Sequence, residues 1–148
     1  MVDGSLRVAP GAVARTDGVA RRLRAPLRAA AVTVAATAVV AVHSPYAPGS
    51  YGYCPFHALT GLWCPMCGSL RATHDLARLD LAGAWGMNPL WVVLVPFVVG
   101  GWALWVLRSS QGRPMPSLPR AAWWLVAGLV LVFGVLRNIP ALAPWLAP

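Results

Sequence analysis

No charged residue occurs between Leu81 and Leu107, and Pro89 to Leu107 alone supplies nineteen mostly apolar positions. At 1.5 Å per residue, nineteen helical residues extend about 28 Å, close to the ~30 Å hydrocarbon layer of a bilayer. Pro96 lies inside this stretch, where a membrane helix tolerates it as a kink. A segment of this kind constrains the whole chain, because the flanking sequence has to supply the remaining spans and the turns on either side.

Two shorter apolar segments do so. Ala29 to Val42 is rich in Ala and Val, and with Ala25–Arg28 and His43–Tyr46 it approaches the ~20 residues that a span needs, Arg28 snorkelling at one end. The same run also fits the apolar core of a signal peptide, with Val39–Ala41 as a cleavage site, but a retained helix is the expectation. Ala121 to Leu136 would span only about 24 Å, so it has to extend past Arg137 or thin the bilayer. Trp91, Trp102, Trp105, Trp123 and Trp124 lie near segment ends, as interfacial anchors do.

Composition supports this class. The chain is 58% apolar and 11% charged, with neither Lys nor Glu, and twelve Arg against four Asp give a net charge of +8. Six of the Arg precede the first apolar segment, five of them in an otherwise patternless stretch expected to be a disordered tail over residues 1–24. Arg placed beside a hydrophobic segment indicates membrane orientation and anionic lipid heads as partners, not nucleic acid. With three spans, the tail, Arg28 and the loop from Arg108 to Arg120 carry nine Arg on one side, against three on the other. The positive-inside rule then makes the N-terminus cytoplasmic and the loop between the first two spans extracytoplasmic, in the cell membrane.

That loop holds every cysteine. Cys54, Cys64 and Cys67 fall within fourteen residues, in the run Cys54-Pro-Phe-His57-Ala-Leu-Thr-Gly-Leu-Trp-Cys64-Pro65-Met-Cys67-Gly68. On the oxidising side of a membrane, thiols persist as disulfides or metal ligands. Three readings are open. In one, a single disulfide clamps the loop and the third thiol is buried. In another, Cys54, His57, Cys64 and Cys67 form a compact Cys3His zinc site, the only cofactor the sequence suggests. In the last, Cys64 and Cys67 are a redox pair with Cys54 as the resolving thiol.

Pro65 fits the first position of a helix, which makes Cys64 the N-cap and Cys67 the third helical residue. Continued through Leu79, this helix places Arg71, His74, Asp75 and Arg78 on one wet polar face, with Arg71–Asp75 as an i,i+4 ion pair. The helix N-terminus and Arg71, one turn on, would then favour a thiolate at Cys67. His74 lies about 10 Å along the helix from Cys67, too far to share a metal with bonds of ~2.0–2.3 Å. Arg137, after the third apolar run, reads either as a snorkelling end-of-helix cation or as a partner of Asp75 or Asp80.

The pattern Cys54-Pro55, Thr60-Gly61, Cys64-Pro65-x-Cys67-Gly68-x-x-Arg71-Ala72, Asn88-Pro89 and a late Arg137-Asn138 resembles the small bacterial membrane proteins of the domain-of-unknown-function family 2752. Met66 stands where that family often has Gly, and Leu70 where it often has Thr. The resemblance implies a membrane location and a shared cysteine motif, and it carries no activity with it.

The expectation is therefore an all-α membrane protein of three transmembrane helices, at about 25–46, 87–108 and 120–138. They form a single domain over 25–148, with the cysteine loop and a short amphipathic interfacial helix in 47–86. No catalytic set or phosphate loop is present, which favours a non-enzymatic structural or accessory subunit whose partners are lipid and another membrane protein or a second copy. The alternatives are a zinc-binding module and a thiol–disulfide oxidoreductase.

Overall fold

The computed structural model describes residues 10–47, 50–51 and 54–148, with side chains placed from residue 18 onward. Among these residues all regular structure is helical: α1 (Pro10–Val42), α2 (Pro55–Thr60), α3 (Ser69–Ala77), α4 (Leu81–Met87), α5 (Pro89–Gln111), α6 (Arg120–Leu136) and α7 (Ala143–Leu146).

The helix boundaries follow from local chemistry. α1 starts at Pro10, where a missing N–H costs nothing, and runs through an Ala- and Arg-rich segment of good helix formers. Residues 10–24, expected to be disordered, are therefore helical, while residues 1–9 of the expected tail lie outside the described residues. α1 stops at Val42 and not at Tyr46, because Pro45 cannot continue it. At the start of α5, the Asn88 side chain accepts from the Trp91 N–H at 3.0 Å and Pro89 occupies the first turn. Gly112, in the left-handed region at φ 68°, ends that helix.

Between α3 and α4 the chain reverses tightly. The Leu79 and Asp80 N–H groups donate to the Leu76 and Asp75 carbonyls, and Leu79 adopts φ 62°, a position usually given to glycine. Asp80 then caps α4, accepting from the Gly83 N–H at 2.8 Å. The charge-free stretch from Leu81 thus comprises two helices, α4 and α5, with a break at Asn88.

Two helical segments, Gly18–Val42 and Pro89–Gln111, are long and apolar enough to cross a membrane. α6 is apolar but has 17 residues and ends at Leu136, so it does not extend past Arg137. Among the described residues, α1 packs along α5 and against α3, α3 packs on α4, and no other helix packs extensively on α6. Trp102, expected at an interface, donates instead to the Pro26 carbonyl at 3.0 Å and ties α5 to α1. Trp91 likewise donates to the Thr73 hydroxyl at 2.8 Å.

Apart from Pro26, fully buried beside Trp102, the buried residues gather at one end. Ala72, Ala84, Asn88 and Arg137 are fully buried there, beside Cys67, His74, Asp75 and Leu90. This inverts the expected face of α3. Arg71 and Arg78 are exposed, but His74 and Asp75 point inward, because the end of α1 covers them. The His74 ring contacts the Val40 carbonyl through Nδ1 at 2.8 Å, and Asp75 accepts from the Tyr46 hydroxyl at 2.6 Å. Arg71 lies over the Tyr46 ring, 5.5 Å from its centroid, and does not bond Asp75.

Candidate metal centre

Three separate backbone devices bring the cysteines together. Cys54 is the N-cap of α2, with Pro55 in its first turn. Gly61, in the left-handed region at φ 72°, closes α2 by donating to the His57 carbonyl at 2.8 Å and sends the chain back towards Cys54. Cys64 to Cys67 then form a β-turn in which the Cys67 N–H donates to the Cys64 carbonyl at 3.0 Å, and Pro65 takes the second turn position that its fixed φ favours.

The expected helix from Pro65 therefore does not form. Pro65 fits a turn as well as a helix start, and Gly68 at φ 83° interrupts the helix before Ser69. A Cβ on Gly68 would collide with the Met87 carbonyl and come within 3.0 Å of Pro148 Cβ. Cys67 consequently sits in the turn and not in the first turn of α3.

The three sulfurs lie within 4.8 Å of one another. Cys64 Sγ is 2.9 Å from Cys67 Sγ and 3.6 Å from Cys54 Sγ, and no S–S bond joins any two of the three in this structure. Their environments differ. The His57 main-chain N–H at the start of α2 lowers the Cys54 thiol from its ordinary value, despite some opposing burial. Burial pushes the Cys67 thiol up to about 12, with its sulfur neighbours adding to the shift. The thiolate favoured by a helix start is thus at Cys54, not at Cys67, and Arg71 is engaged with Tyr46.

The turn is held from both sides. Asn88 Nδ2 donates to the Pro65 and Cys67 carbonyls at 3.0 and 3.1 Å. From the end of α6, Arg137 donates to the carbonyls of Cys64 at 2.7 Å, Pro65 at 3.3 Å and Cys67 at 3.1 and 3.2 Å. Arg137 is fully buried, with its guanidinium 5.1 Å from the Phe133 ring centroid and its Nε without a partner. It neither snorkels nor pairs with Asp75 or Asp80. Next to it, Asn138 grips Trp63 with both ends of its amide, accepting from the N–H and donating to the carbonyl, each at 2.8 Å. Gly134 gives Pro65 room, since a Cβ there would come within 2.8 Å of the proline ring.

His57 is placed apart from the sulfurs. Its ring stacks on Trp63 at 4.0 Å, its Nδ1 lies 3.1 Å from the Leu62 carbonyl, and it stands outside the group of gathered ligand atoms. His74, engaged with Val40, is outside it too, although the continuous helix expected to carry it away from Cys67 does not form. Sequence reasoning missed Tyr46, Gly134 and the two-handed role of Asn138. Only Asn138 left a signal, an Arg-Asn pair that interrupts an apolar run.

The donor set fits a thiophilic metal ion. Zinc–sulfur bonds of about 2.3 Å at tetrahedral angles place sulfurs about 3.8 Å apart. The Cys54–Cys64 spacing of 3.6 Å is close to this, and the Cys64–Cys67 pair at 2.9 Å has to open by about 1 Å. The sulfurs line a cavity of about 510 Å³ that also touches His57, Arg71 and Pro148. A larger apolar cleft of about 790 Å³ lies on the α6 side and shares Trp63 with it, but contains no titratable group.

Among the described residues, fold and site together define an all-α protein with two helices long and apolar enough to cross a membrane and a three-thiol cluster between them. Residues 54–102 match the model of a family described as a protein of unknown function (DUF2752). The match takes in all three cysteines and Asn88 but not Arg137. No curated protein and no solved structure matches the chain.

Proposed function

We propose that this is a small non-enzymatic membrane protein that binds zinc through Cys54, Cys64 and Cys67, and that the bound ion fixes the loop between α1 and α5 against the end of α6. The convergence of three sulfurs within 4.8 Å, on a turn clasped by Asn88 and Arg137, is the observation that carries this reading. Zinc would be held by the three sulfurs, with a fourth position left for a further ligand. Binding one ion at thiols contributed by the start of α2 and by the turn would cross-link the two segments.

α6 is the third span in this reading. Its 17 residues extend about 26 Å, short enough that the bilayer thins around it, and its exposed Leu and Val side chains meet lipid. The Arg distribution supports a cytoplasmic N-terminus and an extracytoplasmic metal site. The test is metal content: protein purified in detergent without chelator should carry about one zinc per chain by mass spectrometry, and a metal-free preparation that takes up none on titration would reject the reading.

The 2.9 Å Cys64–Cys67 contact and the lowered thiol of Cys54 support a second reading, thiol–disulfide exchange. Thiol trapping in cells separates the two. Zinc binding leaves three thiols that become alkylatable once the metal is chelated, whereas exchange leaves a Cys64–Cys67 disulfide that alkylation does not reach.

A further inference from the structure

We propose that Arg137 is the counter-cation of the metal-loaded cluster, so that the site takes a divalent thiophilic ion as a monoanionic trithiolate whose charge the buried guanidinium neutralises. This rests on the metal-binding reading above. Arg137 is fully buried, yet all four of its hydrogen bonds end on main-chain carbonyls, and its Nε has no partner. Carbonyls satisfy N–H donors but carry no net charge, and a guanidinium stays protonated, so a unit positive charge remains buried without an anion among the described residues. Two of the three carbonyls it holds belong to Cys64 and Cys67, which also supply sulfurs to the cluster. The guanidinium thus sits against the backbone of the groups that become anionic when a metal binds.

Charge balance gives the class of ion. With zinc, three thiols lose three protons and one dication enters: Zn²⁺ + 3 RSH → Zn(SR)3⁻ + 3 H⁺. The product carries one negative charge, which Arg137 cancels. Arsenous acid at the same thiols forms three As–S bonds and releases water: As(OH)3 + 3 RSH → As(SR)3 + 3 H2O. That complex is neutral and gains nothing from a neighbouring cation. Comparing the two probes therefore isolates the charge of Arg137 from its role in holding the turn.

The test measures zinc and arsenite affinities of the full chain in detergent, for wild type, Arg137→Gln and Arg137→Lys. Arg137→Gln should weaken zinc by about 10- to 100-fold more than arsenite, the size of a unit-charge interaction over several ångströms in an effective dielectric of about 20. Arg137→Lys keeps the charge but not the three-carbonyl fork, and should hold zinc within a few-fold of wild type. Equal losses of zinc and arsenite in Arg137→Gln would make Arg137 a brace for the turn alone and overturn the inference. If the Gln variant does not fold, the Lys variant still decides, because a brace that needs the fork fails with Lys and a counter-cation does not. Wild-type protein that binds neither probe would remove the metal-binding reading itself, and this inference with it.

Discussion

The two ends of α6 are held very differently. At its C-terminus, Arg137 and Asn138 place hydrogen bonds on Trp63, Cys64, Pro65 and Cys67, and every one of those contacts joins residues at least 70 positions apart. Along the rest of α6 no residue is buried until Arg137, and no other helix among the described residues packs extensively on it. α1 and α5 show the same contrast more mildly, with 11% and 6% of their most apolar windows buried. In a bilayer, apolar side chains gain nothing by leaving lipid for one another, so helix association there depends on close packing and polar contacts. The polar contacts among the described residues are concentrated around the cysteines, so in the membrane reading proposed above this cap fixes the arrangement of the helices.

If that contrast is right, substitutions in the cap should be costly and those on the apolar faces nearly silent. Gly68→Ala should have the largest effect. It forces a side chain into the left-handed region and against the Met87 carbonyl, for a loss of about 3 kcal/mol, seen as a large drop in the midpoint of thermal unfolding in detergent. Asn138→Ala comes next, at about 2 kcal/mol, because it leaves the Trp63 N–H and carbonyl without their partner. It should also make the end of α6 accessible to protease while the α1–α5 pair stays protected.

Tyr46→Phe should cost less, about 1 kcal/mol, by removing the hydroxyl that Asp75 accepts from. It also has a pH signature. Burial, reinforced by Asp75, raises the Tyr46 phenol from 10.0 to about 12. The folded chain holds that proton more tightly than the unfolded one, so its contribution is complete below about pH 10 and lost as pH rises through about 12. The Cys67 thiol, raised from 9.0 to about 12, adds to the same alkaline decline in the metal-free chain. Tyr46→Phe should therefore make the decline shallower without abolishing it, and an unchanged profile would mean the Tyr46–Asp75 bond is not formed. At the bottom of the scale, Leu125→Ala on the exposed face of α6 should change the midpoint by no more than about 0.5 kcal/mol equivalent. A loss as large as that of Asn138→Ala would show that α6 packs on a partner along its length.

The sequence made the apolar segments and the thiol cluster legible because both are local: runs of uncharged residues, and three cysteines within fourteen positions. The placement of Asn88 and Arg137 in a motif pointed to the right residues, but not to what they bond. The polar face of α3 was misjudged because a 3.6-residue period tells which residues share a side, not what covers it. Here His74 and Asp75 are covered by Val40 and Tyr46, more than 25 positions away. Cys67 was misplaced because Pro65 satisfies a helix start and a β-turn equally, and Gly68, which decides between them, was read only as part of a motif. The partner of Arg137 was missed for a related reason. A buried cation suggests a carboxylate, yet three carbonyls and a cysteine cluster lay within its reach.

The central claim is that the three thiols act as one unit on a metal, and the most direct test is the zinc-dependent shift in unfolding midpoint for wild type, each single Cys→Ser variant and the triple variant. Zinc should raise the wild-type midpoint. Cys54→Ser, Cys64→Ser and Cys67→Ser should each abolish that increment as completely as the triple variant, because two remaining sulfurs hold the ion poorly and the effects are non-additive. Small, additive losses from the three substitutions, with zinc leaving every midpoint where it was, would contradict the account and make the cysteines independent packing residues.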